Sequence, residues 1–526
     1  MAILKLGDDA TLLFPSDVSA EACKAFLMRG RKNDHPASPK VTIHTLEASV
    51  ASAAHAAHEK IVLRLNAVSF PEELLKQAMI FWRLTGLGVS SRMAEDCLNA
   101  FEILRTLSGG APAIHSKEPS AAHGLICKRI AAIVNSSTIT GKVVRAISNT
   151  DVYLYQSGMA AIYYLHQALL CWRCTTSVVF GFPYELTLKM LDTYGPGSKF
   201  FGFATSDELD ELEKYLETER QVGRNVQAVW CECPSNPLLR TPDFSRLRRM
   251  TIRYRTTIIV DETIGGFANV DLLRAADVLV TSLTKSFSGY SNVMGGSVVL
   301  NPSSAFYPAL KKIIQSSYRN DYYVADALQL EINSRDFFSR TTKVNTTTMA
   351  LVMFFRHLAS DPSCPITAVY HPSTCWSKEN YHNCMRPRAE DFEPGYGGLF
   401  TLEFASVTAA RIFFDASELH KGPSLGANVT LLQPYVQTVF HKEKEWAARH
   451  GLKESIVRVS VGLEDQGVLL KAFKQATRVM VDRLGQTDPS KKLHQVDFTT
   501  NGSSERYAFK NGGGIEKTVE ENDMEI

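Results

Sequence analysis

The sequence predicts an α/β protein with a large domain on a mainly parallel sheet, followed by a smaller C-terminal α/β domain. Three observations carry this. From residue 152 to 300, short apolar strands alternate with helical stretches, the pattern of βα units with helices on both faces of a sheet. Residues 307–358 read as mostly helical, over a length that can link two domains. Residues 396–480 then mix strands and helices again.

The strands of the large domain are predicted at 178–180, 228–230, 257–260, 278–280 and 296–300, all rich in Val, Ile and Leu with few polar breaks. Continuous apolar runs of that length suit strands buried on both faces. In the smaller domain, 398–402 and 456–461 read as strands. Upstream, residues 1–150 are predicted to be a helical extension used for assembly. A basic, proline-containing loop at 29–40 precedes an alanine-rich stretch, 45–60, that reads as helix. Residues 71–105 read as helices bearing Phe81, Trp82, Leu84, Met93 and Leu98, and 108–120, rich in Gly, Pro and Ala, reads as a loop. The resulting division is 1–150, 151–345, 346–485 and a polar, charged tail, 486–526, predicted to be disordered.

A chain of 526 residues can bury a large core, and 45% hydrophobic with 21% charged residues describes a soluble protein. A formal charge of +2 supplies no basic field to steer nucleic acid or an anionic membrane. No apolar run is long enough to span a bilayer. The first residues lack the basic-then-apolar pattern of a secretory signal, so the cytoplasm is the expected compartment.

Ten cysteines in so long a chain do not make a disulfide scaffold. Cys171-Trp172-Arg173-Cys174 has redox or zinc-half-site spacing but no matching second pair, and reads as structural. Cys231 and Cys233 alternate along a strand and read as core. His55 and His58, one helical turn apart, lack a third ligand and are not read as a metal site.

The residues that point to chemistry lie where the predicted strands end. Lys285 sits in Ser282-Leu283-Thr284-Lys285-Ser286-Phe287-Ser288-Gly289, just after the 278–280 strand. Alone it reads as a surface lysine. Twenty-four residues upstream, however, the strand Ile258-Ile259-Val260 ends in Asp261. A lysine to carry an aldehyde and an acid to keep a pyridine nitrogen protonated are the pair that pyridoxal phosphate chemistry requires. Ser157-Gly158-Met159 opens a predicted helix, and such a turn either presents free N–H groups to a phosphate or is an ordinary N-cap. Tyr184 follows the 178–180 strand, where it stacks on a flat ring or simply packs. Pro234-Ser235-Asn236-Pro237 is rigid at both ends and holds the Asn236 amide at fixed geometry for a phenolate-like oxygen. Arg458, on a β-branched strand, needs a partner: a substrate carboxylate or one within the protein.

Ser157-Gly158-Met159, Tyr184, Pro234-Ser235-Asn236-Pro237-Leu238-Leu239-Arg240, Asp261, Ser282-x-Thr284-Lys285, Ser424-Leu425-Gly426 and Arg458-x-Ser460-x-Gly462-x-Glu464-Asp465 occur in this order. Together they resemble the Cys/Met-metabolism (trans-sulfuration) family of pyridoxal phosphate enzymes over residues 150–480. Within it, the chain is most similar to fungal-type cystathionine γ-synthases, which share a segment like the one from Phe81 to Arg92. The resemblance implies a fold-type I transferase with a seven-stranded sheet, pyridoxal 5'-phosphate as cofactor, amino-acid substrates and a homodimer or homotetramer. It implies that Lys285 carries the cofactor and moves protons, Asp261 pairs with the ring nitrogen, Asn236 supports the ring oxygen and Tyr184 stacks on the ring. Ser157, Gly158, Met159, Ser282 and Thr284 would surround the phosphate, Arg458 would take the substrate α-carboxylate, and Ser424 would help place the substrate.

One departure stands out. The family's Tyr-x-Arg, which reaches a neighbouring subunit's phosphate, has no counterpart, for no tyrosine lies between Phe81 and Val152. Arg105 is the candidate substitute. The expected activity is γ-replacement on an O-acyl-L-homoserine, with L-cysteine giving cystathionine, in primary metabolism or a specialised variant with another nucleophile. A γ- or β-lyase and an O-acetylhomoserine sulfhydrylase would use the same residues. A degenerate regulatory homologue is the reading from another class, and the retention of Lys285, Asp261 and Arg458 argues against it.

Overall fold

The computed structural model describes residues 3–6, 9–29, 40–51, 60–106, 119–136, 138–139, 145–390 and 392–487. They form three sheets. The amino-terminal sheet contains β1 (Ile3–Leu6), β2 (Asp9–Phe14), β3 (Thr42–Ala51), β4 (Lys60–Pro71) and β5 (Arg105–Thr106), in the order β1-β2-β4-β3-β5, with every pair antiparallel.

The helix expected at 45–60 is therefore corrected: β3 fills 42–51 and β4 begins at Lys60, while 52–59, with His55 and His58, lie outside the described residues. Alanine's helix preference loses to a ten-residue ladder between β3 and β4. The pairing places Ala48 beside Leu63, Leu65, Met93 and Cys97 in a small core. The helices expected within 71–105 form at Leu75–Thr85 and Ser91–Asn99. Most of the 29–40 and 108–120 loops, and the tail from 488, lie outside the described residues.

The large sheet is built from β6 (Val152–Tyr155), β7 (Ser177–Phe180), β8 (Ser198–Phe201), β9 (Ala228–Glu232), β10 (Thr257–Asp261), β11 (Val278–Thr281) and β12 (Gly296–Leu300). Its order is β6-β12-β11-β10-β9-β7-β8, and β12 alone runs against the rest. The mainly parallel sense is as the sequence predicts and the seven strands are as the resemblance implies; β6 and β8, at the two edges, join the five strands read from the sequence.

Residues alternate between two cores with the period of two that a strand imposes. Val178, Phe180, Val229, Cys231, Ile258, Val260 and Leu279 face one side; Val179, Ala228, Trp230, Ile259, Val278 and Val280 face the other. Cys231 and Cys233 are core residues, whereas Cys171 and Cys174 are exposed free thiols. No His/Cys/Asp/Glu group suited to a metal occurs among the described residues, and no helix among them is long and apolar enough to cross a membrane.

Three helices, Tyr307–Ser317, Val324–Asn333 and Phe337–Ala359, lead to the third sheet. Its strands are β13 (Ile366–Tyr370), β14 (Leu399–Phe404), β15 (His420–Lys421), β16 (Leu431–Gln433) and β17 (Ile456–Ser460), in the order β13-β14-β17-β16-β15. Val457 and Val459 pack with Phe355, Phe400, Phe413 and Phe473, so alternation turns Arg458 and Ser460 to the opposite face.

The amino-terminal domain shares the core on one face of the large sheet. Phe81 is fully buried there, with its ring 5.9 Å from Phe14 and 5.5 Å from Phe26, in the same cluster as Tyr163 and Tyr194. Phe81→Ala is expected to cost about 3–5 kcal/mol, read as a lower urea midpoint. The loss should appear first in probes of the amino-terminal domain.

Candidate active site

Parallel strands deliver their following loops to one edge of the sheet, where α/β proteins bind ligands. Here β6 ends before Ser157, β7 before Tyr184, β9 at Glu232, β10 at Asp261 and β11 before Ser282. Ten of the eleven site residues expected from the sequence line one cavity of about 280 Å3: Ser157, Gly158, Met159, Tyr184, Asn236, Asp261, Ser282, Thr284, Lys285 and Arg458. The eleventh, Ser424, accepts a 2.9 Å hydrogen bond from Lys285 Nζ.

Lys285 is closely enclosed. Burial, with the charge of Arg458 added, lowers its amine from the ordinary 10.5 to about 8. Asp261 is pushed the other way: burial raises its carboxyl above the usual range, against the hydrogen bonds from Thr263. Both the Thr263 hydroxyl (2.6 Å) and its backbone N–H (2.9 Å) donate to Asp261 Oδ1. A carboxylate held at the end of a strand, with one oxygen committed and its residue lining the cavity, can pair with a cationic ring nitrogen.

Arg458 answers the question left by the sequence. Nη1 donates to Asn236 Oδ1 at 2.9 Å; Nη2 donates to the carbonyls of Pro423 and Ser424, each at 3.0 Å, and to Gln433 Oε1 at 2.6 Å. The guanidinium lies 5.0 Å from the centre of the Tyr435 ring. No carboxylate among the described residues forms an ion pair with it, and burial lowers its pKa. A buried cation whose hydrogen-bond partners are all uncharged, with only the nearby Glu185 charge acting on it, can receive an anion.

Asn236 is fixed from three sides. Its side chain accepts from Arg458 and donates to Tyr435 Oη at 3.2 Å, and its backbone N–H donates to Glu232 Oε2 at 3.1 Å. Tyr184 is 37% exposed, so its ring keeps a face open to the cavity, while its backbone N–H donates to Glu232 Oε1 at 2.6 Å.

The opposite end is closed by the turn at Gly158, where an added Cβ would lie 2.7 Å from Ser282 Cβ. Ser157 caps the helix Gly158–Trp172, accepting from Ala160 N–H, and its hydroxyl donates to the Gly86 carbonyl at 3.1 Å. Its hydroxyl is thus engaged, and the turn offers instead the backbone N–H groups of Gly158 and Met159, which have no partner within a helix. Thr284's hydroxyl is tied to Gly295, while Ser282's has no partner among the described residues. Gly86 has φ +64, and a Cβ there would lie 2.2 Å from Ser157 Oγ. Glycine is required twice over, and it brings the amino-terminal domain against this turn. Arg105 does not take part in this cavity. It is exposed on the edge strand β5, and its Nη1 donates to the carbonyls of Glu102 and Leu104.

Four contributors, Glu232, Thr263, Gln433 and Tyr435, were not read from the sequence. Glu232 is buried, and burial and the nearby Asp261 raise its carboxyl well above the usual range. An acid inside an otherwise apolar strand was its available signal. Thr263 had a signal too, since Asp-x-Thr favours a local side-chain turn. Tyr435, 199 residues from Asn236, had none.

The profile described as "Cys/Met metabolism PLP-dependent enzyme" matches residues 123–478. The chain belongs to that family. Residues 2–90 match "Fungal trans-sulfuration enzyme, N-terminal domain". Similar curated proteins include "Alanine racemase ungC" of Aspergillus violaceofuscus, 40% identical over 78% of this chain and 73% of the relative. "Cystathionine gamma-synthase-like enzyme iboG2" of Amanita muscaria is 34% identical over 90% and 86%. "Cystathionine gamma-synthase" of Neurospora crassa is 33% identical over 90% and 87%. Among solved structures, metB from Corynebacterium glutamicum matches with TM-score 0.54 at 21% identity, covering 71% of this chain and 90% of its own. That likeness shows the fold, the fold-type I arrangement expected.

The family's cofactor, pyridoxal 5'-phosphate, fits the residues present. Free N–H groups at a helix start suit its phosphate, Asp261 suits its ring nitrogen, and an amine near 8 suits its aldehyde. Attack on the aldehyde needs the free amine. Capture of pyridoxal phosphate by apoenzyme is therefore expected to speed up with pH through about 8 rather than the usual 10.5, followed by stopped-flow absorbance.

Proposed function

We propose that this protein catalyses γ-replacement on an O-acyl-L-homoserine, with L-cysteine as the first acceptor to test, giving cystathionine. The observation that carries the reading is the unpaired Arg458 beside Lys285 in one cavity with Asp261. It supplies a carboxylate receptor, a proton carrier and an anionic partner for a ring nitrogen. The relatives named cystathionine γ-synthase, in whole or with "-like", support the γ-position as the site of change.

When bound, pyridoxal phosphate supplies an electron sink for charge developing at the substrate's carbons. Arg458 orients the substrate by its α-carboxylate. Nη2 is filled by three acceptors, leaving hydrogens on Nε and Nη1 for the incoming group. Asp261 keeps a proton on the ring nitrogen. Lys285 Nζ takes a proton from Cα and returns it further along the chain, and an amine near 8 is well matched to that task at neutral pH. Ser424 holds the amine by accepting from it. Tyr184 excludes water from one face of the ring, and Asn236 holds the ring oxygen. In the net exchange the thiol gives up its proton, a C–S bond forms at Cγ, and the C–O bond breaks with its electrons leaving on the acyl carboxylate.

A second reading, racemisation at Cα, is favoured by the 40% identical relative named alanine racemase. It needs the same Lys285 and no leaving group. Incubation with O-acetyl- or O-succinyl-L-homoserine plus L-cysteine, and separately with L-alanine, distinguishes them. Cystathionine formation is expected; D-alanine alone would overturn γ-replacement.

Lys285→Ala is expected to lose the visible band of lysine-bound cofactor together with essentially all turnover. Arg458→Lys keeps the charge but loses the planar fork. It is expected to raise KM about 10- to 100-fold with the bound-cofactor spectrum unchanged. We also propose a homodimer or homotetramer as the working unit, because Leu98, Phe101 and Ile103 are 70%, 69% and 49% exposed beside one another in sequence. Sedimentation as a fully active monomer would refute this.

A further inference from the structure

A second cavity, of about 600 Å3, lies between the amino-terminal and large domains. It adjoins the cofactor cavity, since Thr284, Met294 and Leu425 belong to the walls of both. Ser424, which accepts from Lys285 Nζ, also borders it, so the two spaces meet beside the reactive amine.

We propose that this second cavity is the acceptor site, and that it takes a small nucleophile with an apolar body. The inference rests on the γ-replacement reading for the donor and the reaction, and it moves the preferred acceptor from L-cysteine, the first one to test, to an apolar class. Three features point there. First, Leu13, Trp82, Val89, Val293, Met294 and Leu425 give its walls more apolar than polar surface, with serines, Thr284 and Asn292 set between them. Second, its charged groups already satisfy each other. Arg92 Nη1 lies 3.1 Å from Asp326 Oδ1 and also donates to the Asn292 carbonyl at 2.7 Å. A free zwitterionic amino acid would surrender the hydration of two charges there and meet a pair whose net charge is already zero. An apolar body gains by leaving water. Third, Ser291 in the same wall has φ +56, a left-handed conformation unusual for serine, and such backbone is held where the surroundings fix it.

The placement also suits the order of events. The acyl group must leave before Cγ can be attacked, and an acceptor waiting in its own space need not displace the donor. With a thiol, the S–H proton is released, the sulfur joins Cγ, and the acyl oxygen leaves as carboxylate. Carbon acids of similar shape would react with loss of a C–H proton instead.

The test separates the half-reactions on purified holoenzyme. Acid released from O-acetyl-L-homoserine without acceptor reports the donor side; thioether formed with butane-1-thiol or L-cysteine reports the acceptor side. Wild type is expected to favour butane-1-thiol over L-cysteine in kcat/KM. Ala94→Trp, which fills the cavity from the helix Ser91–Asn99, is expected to cut thioether formation about tenfold or more while acid release persists. Ser91→Trp, at an exposed position bordering the cavity, is the second variant, and cofactor absorbance and Tm confirm that each is folded. Unchanged thioether formation in both folded variants overturns the proposal, as does equal loss of acid release, which would make the cavity the donor's. A wild-type preference for L-cysteine overturns the apolar class. Wild type that releases no acid from either acyl donor defeats the γ-replacement reading itself, and this inference with it.

Discussion

Two cations share one cavity, and much of the site follows from keeping both there. Arg458 has no carboxylate hydrogen-bond partner among the described residues, so its charge is carried by four acceptors: an amide oxygen on Asn236, one on Gln433 and two backbone carbonyls. Hydrogen bonds to a charged group contribute about 1.5–3 kcal/mol each, enough to offset a desolvation cost of several kcal/mol. The acceptors are dipoles, so the charge is solvated without being cancelled. That uncancelled charge is what helps push Lys285 down toward neutrality. A carboxylate hydrogen-bonded to Arg458 would cancel its charge and relieve the pressure on the lysine. The site's own acids are instead held by other donors: Asp261 by Thr263, and Glu232 by the backbone N–H groups of Tyr184 and Asn236.

The same contacts join the domains. Arg458 belongs to β17 of the small domain and reaches Asn236 after β9 of the large one. Nearby, Thr401 on β14 donates to the Pro237 carbonyl at 2.8 Å. The Gly426 N–H donates to Ser460 Oγ at 2.8 Å, which holds the loop carrying Ser424 against β17. Strand alternation makes this possible, since Val457 and Val459 fill the small-domain core while Arg458 and Ser460 face the junction. Domain docking and the placing of the Arg458 guanidinium are therefore one arrangement.

The parts legible in the sequence were those governed by local rules. Apolar runs of strand length marked all the central strands of the large sheet. A parallel sheet gathers its strand-end loops at one edge, and that brought Asp261 and Lys285 together. Residues 45–60 failed because local propensity was the wrong guide: Ala48 and Ala51 sit in a long antiparallel ladder whose partner, β4, supplies the apolar residues. Ser157 was placed correctly, but its hydroxyl is spent on a cap and on Gly86, a partner 71 residues away that no local pattern announces. Tyr435 and Gln433 escaped for the same reason, as their roles exist only after the small domain folds back.

The amino-terminal domain bears on the site through backbone rather than charge. A carbonyl at Gly86 can orient Ser157, yet it cannot neutralise a phosphate, so it is no substitute for the arginine of the absent Tyr-x-Arg. For a phosphate at that turn, the described residues offer the N–H groups of Gly158 and Met159, the Ser282 hydroxyl and the positive end of a 15-residue helix. Donors of this kind act over short range and lose strength quickly with misalignment. Their usefulness depends on a rigid turn, and rigidity is what the Gly86 contact provides. A bulky side chain is excluded at Gly86 by both its φ and the proximity of Ser157. The close approach that fixes the turn also sets Trp82 and Val89 along the second cavity, so one glycine ties the hold on the phosphate end to the shape of the space beside the reactive lysine.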